Sequence, residues 1–122
     1  MPRSDAVFVG LTILDIEGRP ATSISERGGV TFIDEIRLSP AGAAAGAVMN
    51  AAKPGVSTAA VACLGLDEKA DFILDVRRRL GIDCSMIQRT DKPSTSATML
   101  PLRPNGERPA FHGGGASEGT SA

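Results

Sequence analysis

The sequence predicts an α/β fold, a mostly parallel sheet flanked by helices with a small additional antiparallel sheet. Three observations carry that prediction. Residues 5–14 (DAVFVGLTIL) and 56–64 (VSTAAVACL) are apolar with little polar alternation, as strands covered on both faces are. Residues 68–80 place Phe72, Ile73, Val76 and Leu80 at helical spacing after a capping Asp67,. Asn105-Gly106 lies between two extended segments, the pattern of a hairpin turn. The length of 122 residues suits one domain,.

Each element follows from local chemistry. Residues 5–14 read as the first central strand, with Asp15 at its carboxyl end. Residues 16–29 are polar and rich in turn formers, a loop or a loop around a short exposed strand,. Residues 30–38 (VTFIDEIRL) alternate in part, as a strand with one wet face does,. Ser39-Pro40 then breaks the chain, and residues 41–53 (AGAAAGAVMNAAK) read as a helix stopped by Pro54-Gly55,. The strand at 56–64 ends at Gly65, and the helix at 68–80 is closed by Gly81,. Residues 82–89 form a third short strand, and residues 95–102 and 108–112 form the arms of the hairpin. The tail from Gly113 has almost no apolar content and reads as mobile,.

Composition excludes several functions. The chain is 42% hydrophobic and 22% charged, enough apolar content for a packed core and against disorder throughout. A net charge of −1 offers no electrostatic reason to bind nucleic acid or an anionic membrane,. No apolar run approaches the roughly 20 residues of a membrane-spanning helix, and the amino terminus does not read as a signal peptide,. Cys63 and Cys84 lie in apolar stretches, where buried thiols are expected over a disulfide. The expected location is the cytoplasm.

In open parallel sheets ligands bind at the carboxyl ends of strands. Asp15 and the helix start at Gly42 are both placed there. An ionised Asp15 can accept hydrogen bonds from two hydroxyls of a polyol, although the same residue type also caps turns. Gly42 and Gly46 would let a ligand approach the backbone beside the free N–H groups of a first helical turn; small-residue packing of helix on sheet reads equally well. Asp67 follows Gly46 at about the spacing of a ribose-binding acid, but the segment Ala41-Gly42-Ala43-Ala44-Ala45-Gly46 is a weak match to a dinucleotide turn,. His112 is the single histidine, which excludes a centre built from several histidines, and before three glycines it reads as structural or exposed. Arg77-Arg78-Arg79 falls in the last turn of a helix, where cations complement the dipole on a solvated face.

Taken together, these residues resemble the amino-terminal part of the ribokinase-type (pfkB) carbohydrate kinases over residues 7–116. The elements stand in the family's order: Gly10-Leu11-Thr12-Ile13-Leu14-Asp15, an exposed lid-like stretch, and then Pro40-Ala41-Gly42-Ala43-Ala44-Ala45-Gly46-Ala47. Gly55, Gly65, Asp67 and Gly81-Ile82-Asp83 follow, and the hairpin runs into Gly115-Ala116. The resemblance implies a ribokinase-like fold, partial here, with a small antiparallel β lid from residues 16–38 and 95–112. It implies transfer of the γ-phosphate of ATP, with Mg2+, to a sugar hydroxyl. It further implies substrate contacts from Asp15, from the backbone at Gly42, from the Gly46 position and from lid residues near Thr98. A nucleoside kinase of the same family, or a non-catalytic small-ligand or interaction module, would use the same half-fold. A homodimer through the lid strands is implied as well.

Two departures matter. Gly46 stands where the family usually has asparagine, so one implied polar contact is missing, and Ala41 replaces the first glycine of the pair. The family's catalytic aspartate follows a Gly-Ala-Gly turn, and no Gly-Ala-Gly-Asp occurs here. Phosphoryl transfer rests on positioning and charge stabilisation around the phosphate. The expectation is therefore an incomplete, inactive portion that binds neither ATP nor Mg2+ alone and contains no catalytic or metal-ligating residue.

Overall fold

The structure is a computed structural model that describes residues 6–9, 12–42 and 58–116. The strands are β1 (Ala6–Val9), β2 (Ile13–Arg19), β3 (Glu35–Ala41), β4 (Thr58–Val61), β5 (Cys63–Gly65), β6 (Gln88–Thr90), β7 (Ala97–Pro101) and β8 (Phe111–Gly113). One helix, α1 (Glu68–Arg79), lies among the described residues. β1 pairs parallel with β4, and β5 parallel with β6. The remaining strands form a four-stranded sheet in the order β3-β2-β7-β8. This lid sheet is mixed, since β2 and β7 run parallel while both outer pairs run antiparallel.

The α/β architecture is as expected, and several boundaries move. The apolar run at 5–14 is two strands in two sheets, so Asp15 is the third residue of β2 and not the end of a central strand. β2 continues to Arg19, into residues read as a loop or a loop around a short exposed strand. Its partner is displaced from 30–38 to Glu35–Ala41 and runs through Ser39-Pro40. Proline is tolerated there because β3 is an edge strand and needs no N–H on its outer side,. The run at 56–64 divides its pairing: β4 holds β1 on one side and bridges to Asp83 on the other, whereas β5 takes β6. The third strand accordingly shrinks to that bridge plus Gln88–Thr90. Residues 43–53 of the expected glycine-alanine helix lie outside the described residues, as do Gly10, Gly46, Gly55 and residues 117–122 of the tail; Ala41 belongs to β3. Within the described tail, Gly113 pairs with Ala97, and the Ala116 N–H donates to the Ser94 carbonyl at 2.8 Å.

The core lies where α1 covers the short parallel strands. Leu14, Ala60, Leu64, Ala70, Ile73, Leu74, Ile82 and Ile87 form one buried cluster. Asp67 caps α1 by accepting from the Ala70 N–H at 3.1 Å, as its sequence position predicts. The buried face of α1 is Ala70, Ile73, Leu74 and Arg77, at helical spacing, with Leu80 exposed. Arg77 thus takes a core position and is fully buried, contrary to a solvated arginine run; Arg78 and Arg79 are exposed.

Arg77 is costly where it sits. Its Nη2 donates to the Thr12 hydroxyl at 3.0 Å, whereas Nε and Nη1 are buried without partners. Burial pushes the guanidinium below the usual arginine value, with the nearby Cys84 pulling the other way. Thr12→Val, which orphans the remaining donor, is expected to cost about 1–3 kcal/mol. Adding Arg77→Met should recover that loss, because a shape-matched apolar pair leaves no unpaired charge. Urea unfolding of both variants checks this; a double variant less stable than Thr12→Val would show that the guanidinium stabilises the core.

Candidate functional site

The lid sheet has two chemically distinct faces because successive side chains alternate. Asp15 is in register with Ser39 on β3 and Thr98 on β7, and Thr98 with His112 on β8. Ser39, Asp15, Thr98 and His112 therefore form one row across all four strands, about 14 Å long at the usual strand spacing. Two residues along β2, Glu17 lies opposite Arg37 on the same face, and Arg19 opposite Glu35 beyond it. The neighbouring row on the other face is Leu38, Ile16, Met99 and Phe111.

Hydrogen bonds and ion pairs organise the polar face. The Thr98 hydroxyl, almost wholly buried, hydrogen-bonds His112 Nδ1 at 2.9 Å. Arg108 reaches Glu17 at 3.3 Å, and Arg19 pairs with Glu35 at 2.8 Å. Burial pushes the Asp15 carboxyl up, Glu17 adds to the rise, and Arg108 and His112 pull it back down. Beyond Glu17 the face opens into a cleft of about 620 Å3 lined by Glu17, Arg19, Asp34, Glu35, Arg103 and Arg108. Half-buried Asp15 beside a polar cleft can accept hydrogen bonds from hydroxyl groups.

Asp15 and Thr98, two of the sequence-derived candidates, are direct neighbours. Gly42 lies three positions beyond Ser39, just past the end of β3, with φ of 95°. That conformation suits glycine and strains any side chain. Gly46 lies outside the described residues. His112 is exposed, one of the two readings its position before three glycines gave, and it also belongs to the row; the hairpin register around Asn105-Gly106 was the one signal that could have placed it beside Thr98. Asp67, the dinucleotide candidate, is occupied by the fold: Oδ1 accepts from the Ala70 N–H and the Thr95 hydroxyl, and Oδ2 from the Thr95 N–H.

Among the described residues no group of three or more His, Cys, Asp or Glu side chains could hold a metal ion. Among the described residues no helix is long and apolar enough to cross a membrane. Cys84 is a thiol that donates to the Ile82 carbonyl oxygen at 3.5 Å, and burial pushes its pKa up.

A parallel α/β core carrying a four-stranded mixed sheet with one polar face is a ribokinase-like fold. The pfkB family carbohydrate kinase model matches residues 3–121, and the chain belongs to that family. Solved structures agree on the fold. The nucleoside kinase of Methanocaldococcus jannaschii, an archaeal member of the ribokinase family, is 23% identical with a TM-score of 0.75 over 93% of this chain and 38% of its own. Ribokinase from Thermotoga maritima is 23% identical with a TM-score of 0.73 over 93% and 37%. Fructokinase from Xylella fastidiosa, solved with bound ATP, is 22% identical with a TM-score of 0.71 over 90% and 33%. The chain thus spans 33–38% of the length of these proteins. No curated protein matches it.

Proposed function

We propose that this chain forms the sugar-binding side of a pfkB-family carbohydrate kinase, with Asp15 accepting hydrogen bonds from two adjacent hydroxyls of the acceptor sugar. The observation that carries the reading is the register of Asp15 with Thr98 on the polar face of the lid, in a chain whose family is that of carbohydrate kinases. Gly42 and the Gly46 position supply the backbone side of the same site. Residues 16–38 and 95–112 act as the lid over the sugar. ATP with Mg2+ donates the phosphoryl group in the family-length enzyme. This chain alone is expected to bind the acceptor without phosphorylating it, since its sequence holds no Gly-Ala-Gly-Asp. Its setting is the cytoplasm.

A second copy of the chain is the proposed partner. The outer lid face exposes Ile36, Leu38, Met99 and Phe111 and carries a shallow cavity of about 260 Å3 lined by these types of side chain. Apolar surface of this kind is buried in an interface.

Thermal unfolding with and without D-fructose, D-ribose or adenosine, in the absence of nucleotide, tests the sugar reading. A ligand at a hundred times its Kd should stabilise the chain by about 2.7 kcal/mol. Asp15→Ala should remove that stabilisation. Adenosine as the sole stabilising ligand would favour a nucleoside kinase, and no stabilisation by any of the three at millimolar concentration would favour a non-catalytic module.

A further inference from the structure

We propose that His112 is a specificity-determining contact of the sugar site, and that Thr98 acts through it as a positioning residue without touching the sugar; this rests on the reading of Asp15 above. Thr98 is 8% exposed and its hydroxyl is engaged by His112 Nδ1 at 2.9 Å. A buried hydroxyl spent in this way has little left to offer a ligand. His112 is exposed, and its Nε2 has no partner among the described residues. The bond at one ring nitrogen fixes the plane of the imidazole and decides what the other nitrogen presents. When the Thr98 hydroxyl donates to Nδ1, Nε2 carries the proton and faces the ligand as a donor.

Asp15 and His112 then form an acceptor and a donor on either side of Thr98 in the row. Two strand spacings separate them, about 10 Å between backbones. Hydrogen bonds of about 2.8 Å from each leave room for a vicinal diol between the side chains. One hydroxyl donates to the Asp15 carboxylate and its neighbour accepts from His112 Nε2. Polar recognition of this kind discriminates against analogues lacking a hydroxyl far more strongly than apolar contact does.

The test is isothermal titration of the full chain with D-fructose, D-ribose and adenosine, using His112→Leu, Thr98→Val, their combination, His112→Asn and Asp15→Asn. His112→Leu is expected to weaken binding of the ligand that binds best about 10-fold, without lowering the melting temperature. Thr98→Val should weaken it about 3-fold. The combined variant should match His112→Leu alone, since Thr98 has nothing to position once the imidazole is gone. His112→Asn, which keeps a donor, should recover part of the affinity. Effects of Thr98→Val and His112→Leu that multiply would place Thr98 against the sugar and overturn the proposal. So would His112→Leu binding within 2-fold of the unaltered chain while Asp15→Asn abolishes binding, an outcome that leaves the sugar site itself intact. An unaltered chain that binds none of the three, or an Asp15→Asn variant that binds as well as the unaltered chain, overturns the sugar reading and this proposal with it.

Discussion

Gly65→Ala is expected to lower the melting temperature by about 10 °C, the equivalent of about 3 kcal/mol in a chain of this size. Gly65 ends β5 where the strand turns towards α1, and a β-carbon there would stand 2.7 Å from the Thr95 backbone nitrogen and 3.0 Å from Asp67 Oδ2. Neither atom can yield cheaply. The Thr95 N–H is held by Asp67 Oδ2 at 2.8 Å, and the Gly65 N–H itself donates to the Thr95 hydroxyl at 2.9 Å. The added methyl therefore pushes apart a buried crossing of backbones that three hydrogen bonds hold shut. Differential scanning calorimetry of the variant reads the effect directly. An unchanged melting temperature would show that residues 94–96 can move away without loss.

Asp67→Ala is expected to produce a loss of similar size from the opposite direction, by removing the acceptor. The Ala70 N–H, the Thr95 N–H and the Thr95 hydroxyl all donate to this carboxylate. Loss of a helix cap costs about 1 kcal/mol, and each buried donor left unpaired costs about 1–3 kcal/mol more. The same group makes stability depend on pH. Burial alone would raise the Asp67 pKa, but the bonds from Thr95 and Ala70, with Lys69 alongside, hold it down at about 2 against an ordinary 3.8. A folded-state pKa below the unfolded one gives stability that is complete above the unfolded value and lost as the pH falls through the folded one. Asp67 should thus contribute about 1–2 kcal/mol at neutral pH that disappears between about pH 4 and pH 2. Urea unfolding at a series of acid pH values should show a steeper loss for the unaltered chain than for Asp67→Ala. Parallel pH profiles for the two would rule the carboxylate out as the source.

The identity of Asp67 as a cap is legible because capping is local: the carboxylate, the first turn of α1 and the closing glycine lie within one stretch of chain. The hairpin around Asn105-Gly106 is legible for the same reason. The apolar run at 5–14 shows that strands are present but not that they belong to two sheets, since hydrophobicity reports burial and carries no information about which neighbour supplies it. Arg77 marks a further limit. Three arginines at a helix end read as a wet face, and only the rotation of α1 against the parallel strands puts the first of them inside.

By itself the sequence determined the α/β class, the capped helix, the hairpin and the family likeness, because these rest on local spacing and on the order of motifs. It also singled out Asp15 and Thr98 as candidates. Only the tertiary structure decided that Asp15 lies within the lid sheet, that Thr98 stands directly beside it and that His112 completes the row. The reason is register: shifting a strand by one residue moves every side chain to the opposite face. The pairing that sets it joins residues more than eighty positions apart in the chain.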